Sequence, residues 1–458
     1  MMRQGGQNLR VNPLRLLGCG LFALIVLSIS CKSLTTAASE TDRNARNQTA
    51  LATARENINK YRKGDARIKV VDNAGRPVSN ARLEVRQVSH AFKFGCYLKI
   101  DDLEPTKLAA YERHFKTLFN YAVVGNYWSN IEKKRGAENW SWYDRETQLS
   151  KDLGMRTQAA PVLWGTNKYG SPAWLPNGRD ELLYVLQQRV KNAVTRADGV
   201  SDIEIVNEPL SKKPDVIAGA ISGDYIAQAF QWARASAPYK RLLINESGIF
   251  GSVARHNYNA DKYFALVDGL IKKDVPVDII GIQAHAIGQW YEPADVAHQL
   301  ERYSSLGRPV QITEFSVQTF DYDDKKTPQP ISGSYRSGTW DAEKQAEFYR
   351  EFYTVAFGSP AVEGITTWGL DDERAWLPGI GVIDKNVEPK PAYRELERLI
   401  NGEWKTSLSG GTDAGGIYTV NGFFGEYEVT AEVRGKQTLT RFTLAKDGPN
   451  AWTVTVGN

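Results

Sequence analysis

One short pattern repeats along most of the chain, and it restricts the fold more than any other feature. Eight brief apolar runs follow one another: "AFKFGCYL" (91 to 98), "YAVVGN" (121 to 126), "RTQAAPVLW" (156 to 164), "DIEIVNE" (202 to 208), "RLLINES" (241 to 247), "DIIGIQAH" (278 to 285), "PVQITEF" (309 to 315) and "VEGITTWGL" (362 to 370). Between them lie stretches such as "DELLYVLQQRVKNAVTRA", "GDYIAQAFQWARASA" and "DAEKQAEFYREFYTVAF", whose apolar residues recur three and four apart. That spacing is the mark of a helix burying one face, and the short runs between are strands. Strands alternating with helices build a parallel sheet. Eight such units in about 300 residues predict an α/β fold, a closed (β/α)8 or TIM barrel, whose site lies at the carboxyl ends of its strands.

The flanks read differently. "DARIKVVDNAGRPVSNARLEVRQV" gives two alternating runs around a Gly and Pro turn, so residues 63–90 are expected to form a small β element. Residues 403–458 alternate around Gly turns and predict a small C-terminal antiparallel β-domain, leaving 91–402 to the barrel. Residues 32–62 are polar and rich in Ala, Thr and Asn, and are expected to act as a tether with some helical tendency.

The first 31 residues carry Arg3, Arg10 and Arg15, then "LLGCGLFALIVLSISC" ending at Cys31. The apolar part is short for a membrane span and sufficient for a signal peptide, so export is expected. "LSISC" is similar to a bacterial lipoprotein signal, with Cys31 as the lipidated residue; ordinary cleavage near Ala37 or Ala38 is the alternative. The localisation expected is therefore the cell surface or periplasm, with the membrane reached only through an N-terminal lipid. Past Cys31 only Cys96 remains, which excludes a disulfide framework.

Net charge is +4, from 57 basic and 53 acidic residues with no basic block, so the chain lacks the electrostatic footprint of a nucleic-acid binder. The five histidines show no metal-ligand spacing. A phosphate-cradling Gly loop with its Lys and a G-x-S-x-G elbow are both missing, so no cofactor is expected. Twelve Trp and 21 Tyr point to carbohydrate, since sugar-binding clefts are often walled by aromatic rings. The expected partner is a β-linked polysaccharide or oligosaccharide, bound by a monomer.

Two of the strands end in a way that core packing does not require. "IEIVNEPL" stops on Asn207, Glu208 and Pro209, and "PVQITEF" reaches Glu314. Either Glu alone would read as a strand-end ion-pair partner or a helix cap. At the ends of strands four and seven, the two point into one barrel mouth. Two carboxyls suffice to break an acetal: one protonates the leaving oxygen, the other attacks or stabilises the cation. Glu208 suits the acid/base role and Glu314 the nucleophile.

The ordered pieces "RKGDARIKVVDNAGRPV", "HAFKFG", "WSNIEKKRG", "IVNEPL", "IGIQAHA", "QITEFSV", "TTWGLDDERAWL" and "GVIDKNVEPKPAY" resemble glycoside hydrolase family 10, the endo-β-1,4-xylanase family within the clan of retaining (β/α)8 hydrolases. The resemblance implies that Asn207 bonds the sugar 2-hydroxyl and that Gln283 and His285 orient nucleophile and sugar. It places Trp368 and Trp376 as walls of the pocket, and it brings Trp128, Asn126 and Trp164 to the substrate. The implied activity is a retaining endo-β-glycosidase acting on xylan or a related β-1,4-linked plant glycan. A clan relative with another β-glycan substrate, or a surface glycan-binding protein without turnover, are the alternatives.

The sequence departs from the family in the residues that grip sugar. Strand two normally carries E-N-x-x-K-W, and "VVGNYWSN" places Tyr127 at the Lys. Strand three normally offers H-x-L-V-W-H, and here Ala160 and Gly165 stand at the two His. Ser316 replaces the Asp that partners the strand-six His. A pocket wider and less polar beside the reacting sugar is expected.

Overall fold

The computed structural model describes residues 20–166, 169–210, 215–222, 225–251, 258–332 and 335–457, with side chains from residue 40 onward. Eight parallel strands close into a barrel: Lys93–Tyr97, Tyr121–Gly125, Arg156–Ala160, Asp202–Asn207, Arg241–Glu246, Ile279–Ile287, Val310–Gln318 and Val362–Thr367. Strand eight pairs with strand one, as Gly364 with Lys93 through Thr367 with Cys96, so no edge is left open. Strand three is interrupted at Pro161, which has no N–H for the ladder, and resumes as Leu163–Trp164 beside Val206 and Asn207. Strands four, six and seven are almost entirely buried, as expected where a parallel sheet is covered on its outer face by helices and packed within. At the amino-terminal end, Lys93 pairs with Asp202 and Glu363, and Gln311 donates to both carboxylates, which closes the bottom with a network of paired charges.

The expected β element at 63–90 and β-domain at 403–458 are halves of one structure. Strand Lys63–Val71 lies between Ile417–Phe423 and Ala451–Thr455 in a three-stranded sheet. Strand Arg82–His90 lies between Ser407–Gly411 and Gly425–Val433 in a four-stranded antiparallel sheet that Lys436–Leu444 completes. Ile68, Val70, Leu83, Val85, Val420, Val429 and Trp452 fill the space between the two sheets. Neither segment owns a core by itself; each supplies one face of a sandwich.

The segment before it also departs from expectation. Residues up to Arg46 form one unit and Asn47–Asn458 another. A helix runs Gly20–Tyr61, and from Asn47 its residues are docked instead of serving as a free tether. Leu51, Ala54 and Ile58, spaced three and four apart, are buried, and Asn47 donates to Glu292 at 3.2 Å. Arg62 then donates to the carbonyls of Phe357, Ser359 and Val362, closing the C-terminal end of helix Ala342–Gly358. The leader up to residue 19 and the Cys31 side chain lie outside the described residues. Among those described, no helix is long and apolar enough to cross a membrane.

Candidate active site

A cavity of about 630 Å³ opens at the carboxyl ends of the strands. Glu208 and Glu314 both line it. Glu208 follows the last residue of strand four with φ +48°, a left-handed conformation that is uncommon for a residue other than glycine. That turn lets its N–H donate to the Asn245 carbonyl at 2.9 Å while the strand ends. Glu314 sits inside strand seven where the register with strand six shifts, between Ile312 and Glu314. Such a bulge re-aims side chains, here at the mouth.

The Glu314 carboxylate is held at both oxygens. Asn245 Nδ2 donates to Oε1 at 3.0 Å, and His285 Nε2 lies 3.2 Å from Oε2. On the other side of the ring, His285 Nδ1 is 2.7 Å from the Ser316 hydroxyl. A neutral imidazole with the proton on Nε2 serves both contacts, donating to Glu314 and accepting from Ser316. Ser316 therefore fills the place of the family Asp with a neutral partner. Asn207 Oδ1 accepts from Asn245 Nδ2 at 3.0 Å and from Gln283 Nε2 at 3.2 Å, which fixes the amide and turns its own N–H groups outward.

Of the residues singled out from sequence, Glu208, Glu314, Asn207, His285, Trp164, Trp368 and Trp376 line the cavity. Gln283 stands one layer back and acts on Asn207. Asn126 and Trp128 are placed elsewhere. Asn126 is fully buried and accepts from Arg189 at 2.8 Å, and Trp128 donates to Glu132 at 2.8 Å beside a separate surface hollow. The bend after Gly125 carries both away from the mouth and brings Tyr127 into it instead.

The pocket is not simply wider where Ala160 and Gly165 stand. A Cβ on Gly165 would lie 1.9 Å from Asp215 Oδ1, because Asp215 occupies that space while accepting from the N–H groups of Ile217 and Ala218. Ala160 packs with Tyr121, Val123 and Trp368. Aromatic rings supply the rest of the wall. Tyr97 stacks on Trp368 at 4.5 Å, Tyr127 on Trp142 at 6.1 Å and Trp164 on Tyr169 at 6.1 Å. Trp376, half exposed, meets His285 edge to face at 4.8 Å.

Sequence reasoning missed Asn245, Glu204, Tyr97, Trp142, Tyr169 and Tyr322. A signal for Asn245 was present: "VNE" at strand four and "INE" at strand five end alike. Glu204 lines the cavity while buried, and desolvation, with the charge of Glu314 beside it, pushes its carboxyl well above the usual range. Burial also raises Glu246 to about 8; it accepts from Leu210 N–H at 2.8 Å and so anchors the loop that follows Glu208. Among the described residues, no group of three His, Cys, Asp or Glu could hold a metal ion.

Residues 85–398 match the model of glycosyl hydrolase family 10. The chain is 27% identical over 307 residues to endo-1,4-beta-xylanase B of Thermotoga neapolitana, covering 63% of this chain and 83% of that one. It is 27% identical over 396 residues to anti-sigma-I factor RsgI6 of Acetivibrio thermocellus, covering 84% of this chain but spanning only 47% of that protein. The crystal structure of xylanase 10B from Thermotoga petrophila RKU-1 in complex with xylobiose superposes with a TM-score of 0.57 at 25% identity, over 68% of this chain and 94% of that one. A barrel whose fourth and seventh strands bring two glutamates to one aromatic cleft, matched over more than half its length, belongs to glycosyl hydrolase family 10.

Proposed function

We propose that this protein is a retaining endo-β-glycosidase acting on xylan or a related β-1,4-linked glycan. The observation that carries the proposal is the placement of Glu208, just past strand four, and Glu314, within strand seven, in one cavity, with Glu314 oriented by Asn245 and His285. In this reading Glu314 attacks the anomeric carbon as Glu208 protonates the departing oxygen. Water, deprotonated by Glu208, then releases the sugar with its configuration retained. Asn207 faces the sugar hydroxyl beside the reacting carbon, where a hydrogen bond gains strength in the transition state. The xylanases among its relatives support this choice of substrate.

The test is a panel of β-glycans, linear and decorated, with reducing ends and product anomers followed by mass and NMR. Release of β-anomer first from at least one member is expected. Glu314→Ala and Glu208→Ala should each remove most turnover while leaving the fold intact. Azide should restore the Glu208 variant with retained configuration, because a small anion can attack a glycosyl-enzyme that lacks its base. Binding without turnover by the parent protein across the whole panel would support a second reading, a glycan-binding or sensing protein. That reading is favoured by one observation, the 396-residue match to an anti-sigma factor.

A further inference from the structure

We propose that Trp142 is a sugar platform that gives this cleft affinity without discriminating between backbones, seated by Glu146 in space left open by Gly125; the inference rests on reading the cavity as a β-glycan site. Trp142 belongs to helix Ser141–Asp152, outside the barrel strands, yet its ring lines the cavity. It reaches there over the end of strand two, where a Cβ on Gly125 would lie 2.2 Å from Trp142 Cη2 and 2.9 Å from the Tyr97 hydroxyl. Only glycine leaves room for that crossing. The buried Glu146 fixes both partners: Oε1 accepts from Trp142 Nε1 at 2.9 Å and Oε2 from Gly125 N–H at 3.2 Å. The ring lies nearly parallel to Tyr127, with 21° between planes. Tyr97, which also lines the cavity, stacks in turn on Trp368.

The chemistry this surface offers follows from what is already used. The Trp142 N–H is spent on Glu146, so the indole presents an apolar π face and no donor. Such a face packs against the axial C–H groups of an equatorially substituted pyranose, and it asks for no particular hydroxyl. A site that hydrogen-bonds a hydroxyl rejects a sugar lacking it strongly, whereas an apolar wall distinguishes a missing or added substituent weakly. The ligand class is therefore a β-1,4-linked chain of flat, equatorial pyranoses, with xylose and glucose backbones bound alike.

Titration calorimetry of xylotetraose and cellotetraose into full-length protein carrying Glu314→Gln, which stops turnover, tests this. Both ligands should bind with affinities within about five-fold of each other, and adding Trp142→Ala should weaken both by about ten-fold, the loss of one aromatic contact. Gly125→Ala, which adds atoms, should produce the same loss by displacing the ring, and Trp142→Phe should recover most of the binding. Circular dichroism at the titration temperature establishes that each variant is folded. Unchanged affinity in a folded Trp142→Ala, or a strong preference for one backbone, overturns the inference while leaving the glycosidase reading intact. Failure of both tetrasaccharides to bind overturns the two together.

Discussion

Asn245 offers the sharpest test of how the nucleophile is held. It is fully buried, and its side chain joins three others: Nδ2 donates to Glu314 Oε1 and Asn207 Oδ1, both at 3.0 Å, and Oδ1 accepts from Thr313 at 2.6 Å. Asn245→Ala deletes those bonds and keeps the backbone carbonyl that accepts from Glu208 N–H, so the acid/base position is spared. Among the described residues, Glu314 then retains only His285 as a side-chain donor, and Asn207 only Gln283. A hydrogen bond to a charged group contributes about 1.5–3 kcal/mol, and each ~1.4 kcal/mol in the barrier is a factor of ten in rate. If that stabilisation is felt mostly in the transition state, kcat/KM should fall by about 10- to 100-fold. The loss should fall on kcat, because the amide touches the nucleophile and Asn207 before it touches the sugar. Stability should drop by about 2–4 kcal/mol in urea unfolding, since the Thr313 hydroxyl is also left buried and unpaired. Steady-state kinetics on the best substrate of the panel, at a temperature where the variant is folded, would decide. A kcat/KM within about two-fold of the parent would refute the idea that these donors organise the site.

Two further outcomes follow from charge and from the leader. Burial raises both Glu146 and Glu246 from the ordinary 4.5 to about 8, so the folded state holds their protons where the unfolded chain has lost them. Stability should therefore fall as pH rises from about 4.5 to 8 and level off above, each group contributing a slope of up to about 1.4 kcal/mol per pH unit. Urea midpoints across that range should show a shallower decline in Glu246→Gln than in the parent; equal slopes would remove Glu246 as a source. Cys31→Ala, expressed in the native host, should move the protein from the membrane fraction to the soluble one if the leader is of the lipoprotein kind; unchanged partition would leave ordinary export.

The two Asn-Glu pairs show where sequence stops and tertiary structure begins. Periodicity alone determined eight strands, their helices and the barrel they close, because a parallel strand buried on both faces and a helix buried on one leave different spacings of apolar residues. It also brought Glu208 to the end of strand four and Glu314 to strand seven, which in the structure runs on to Gln318. What it could not separate was "VNE" at 206–208 from "INE" at 244–246. In the folded chain Glu208 turns through φ +48° into the cavity, whereas Glu246 folds back onto the N–H groups of Leu210 and Ser247. In the same way, Ala160 and Gly165 read as lost sugar contacts and thus as a wider pocket. Asp215, at the start of helix Val216–Ile221, fills the space beside Gly165, and Trp142, from helix Ser141–Asp152, crosses over Gly125. Strand spacing is a local property, carried by the residues themselves. Which side chain occupies a vacated volume depends on groups brought there from distant parts of the chain, and only close packing of the whole barrel mouth decides it.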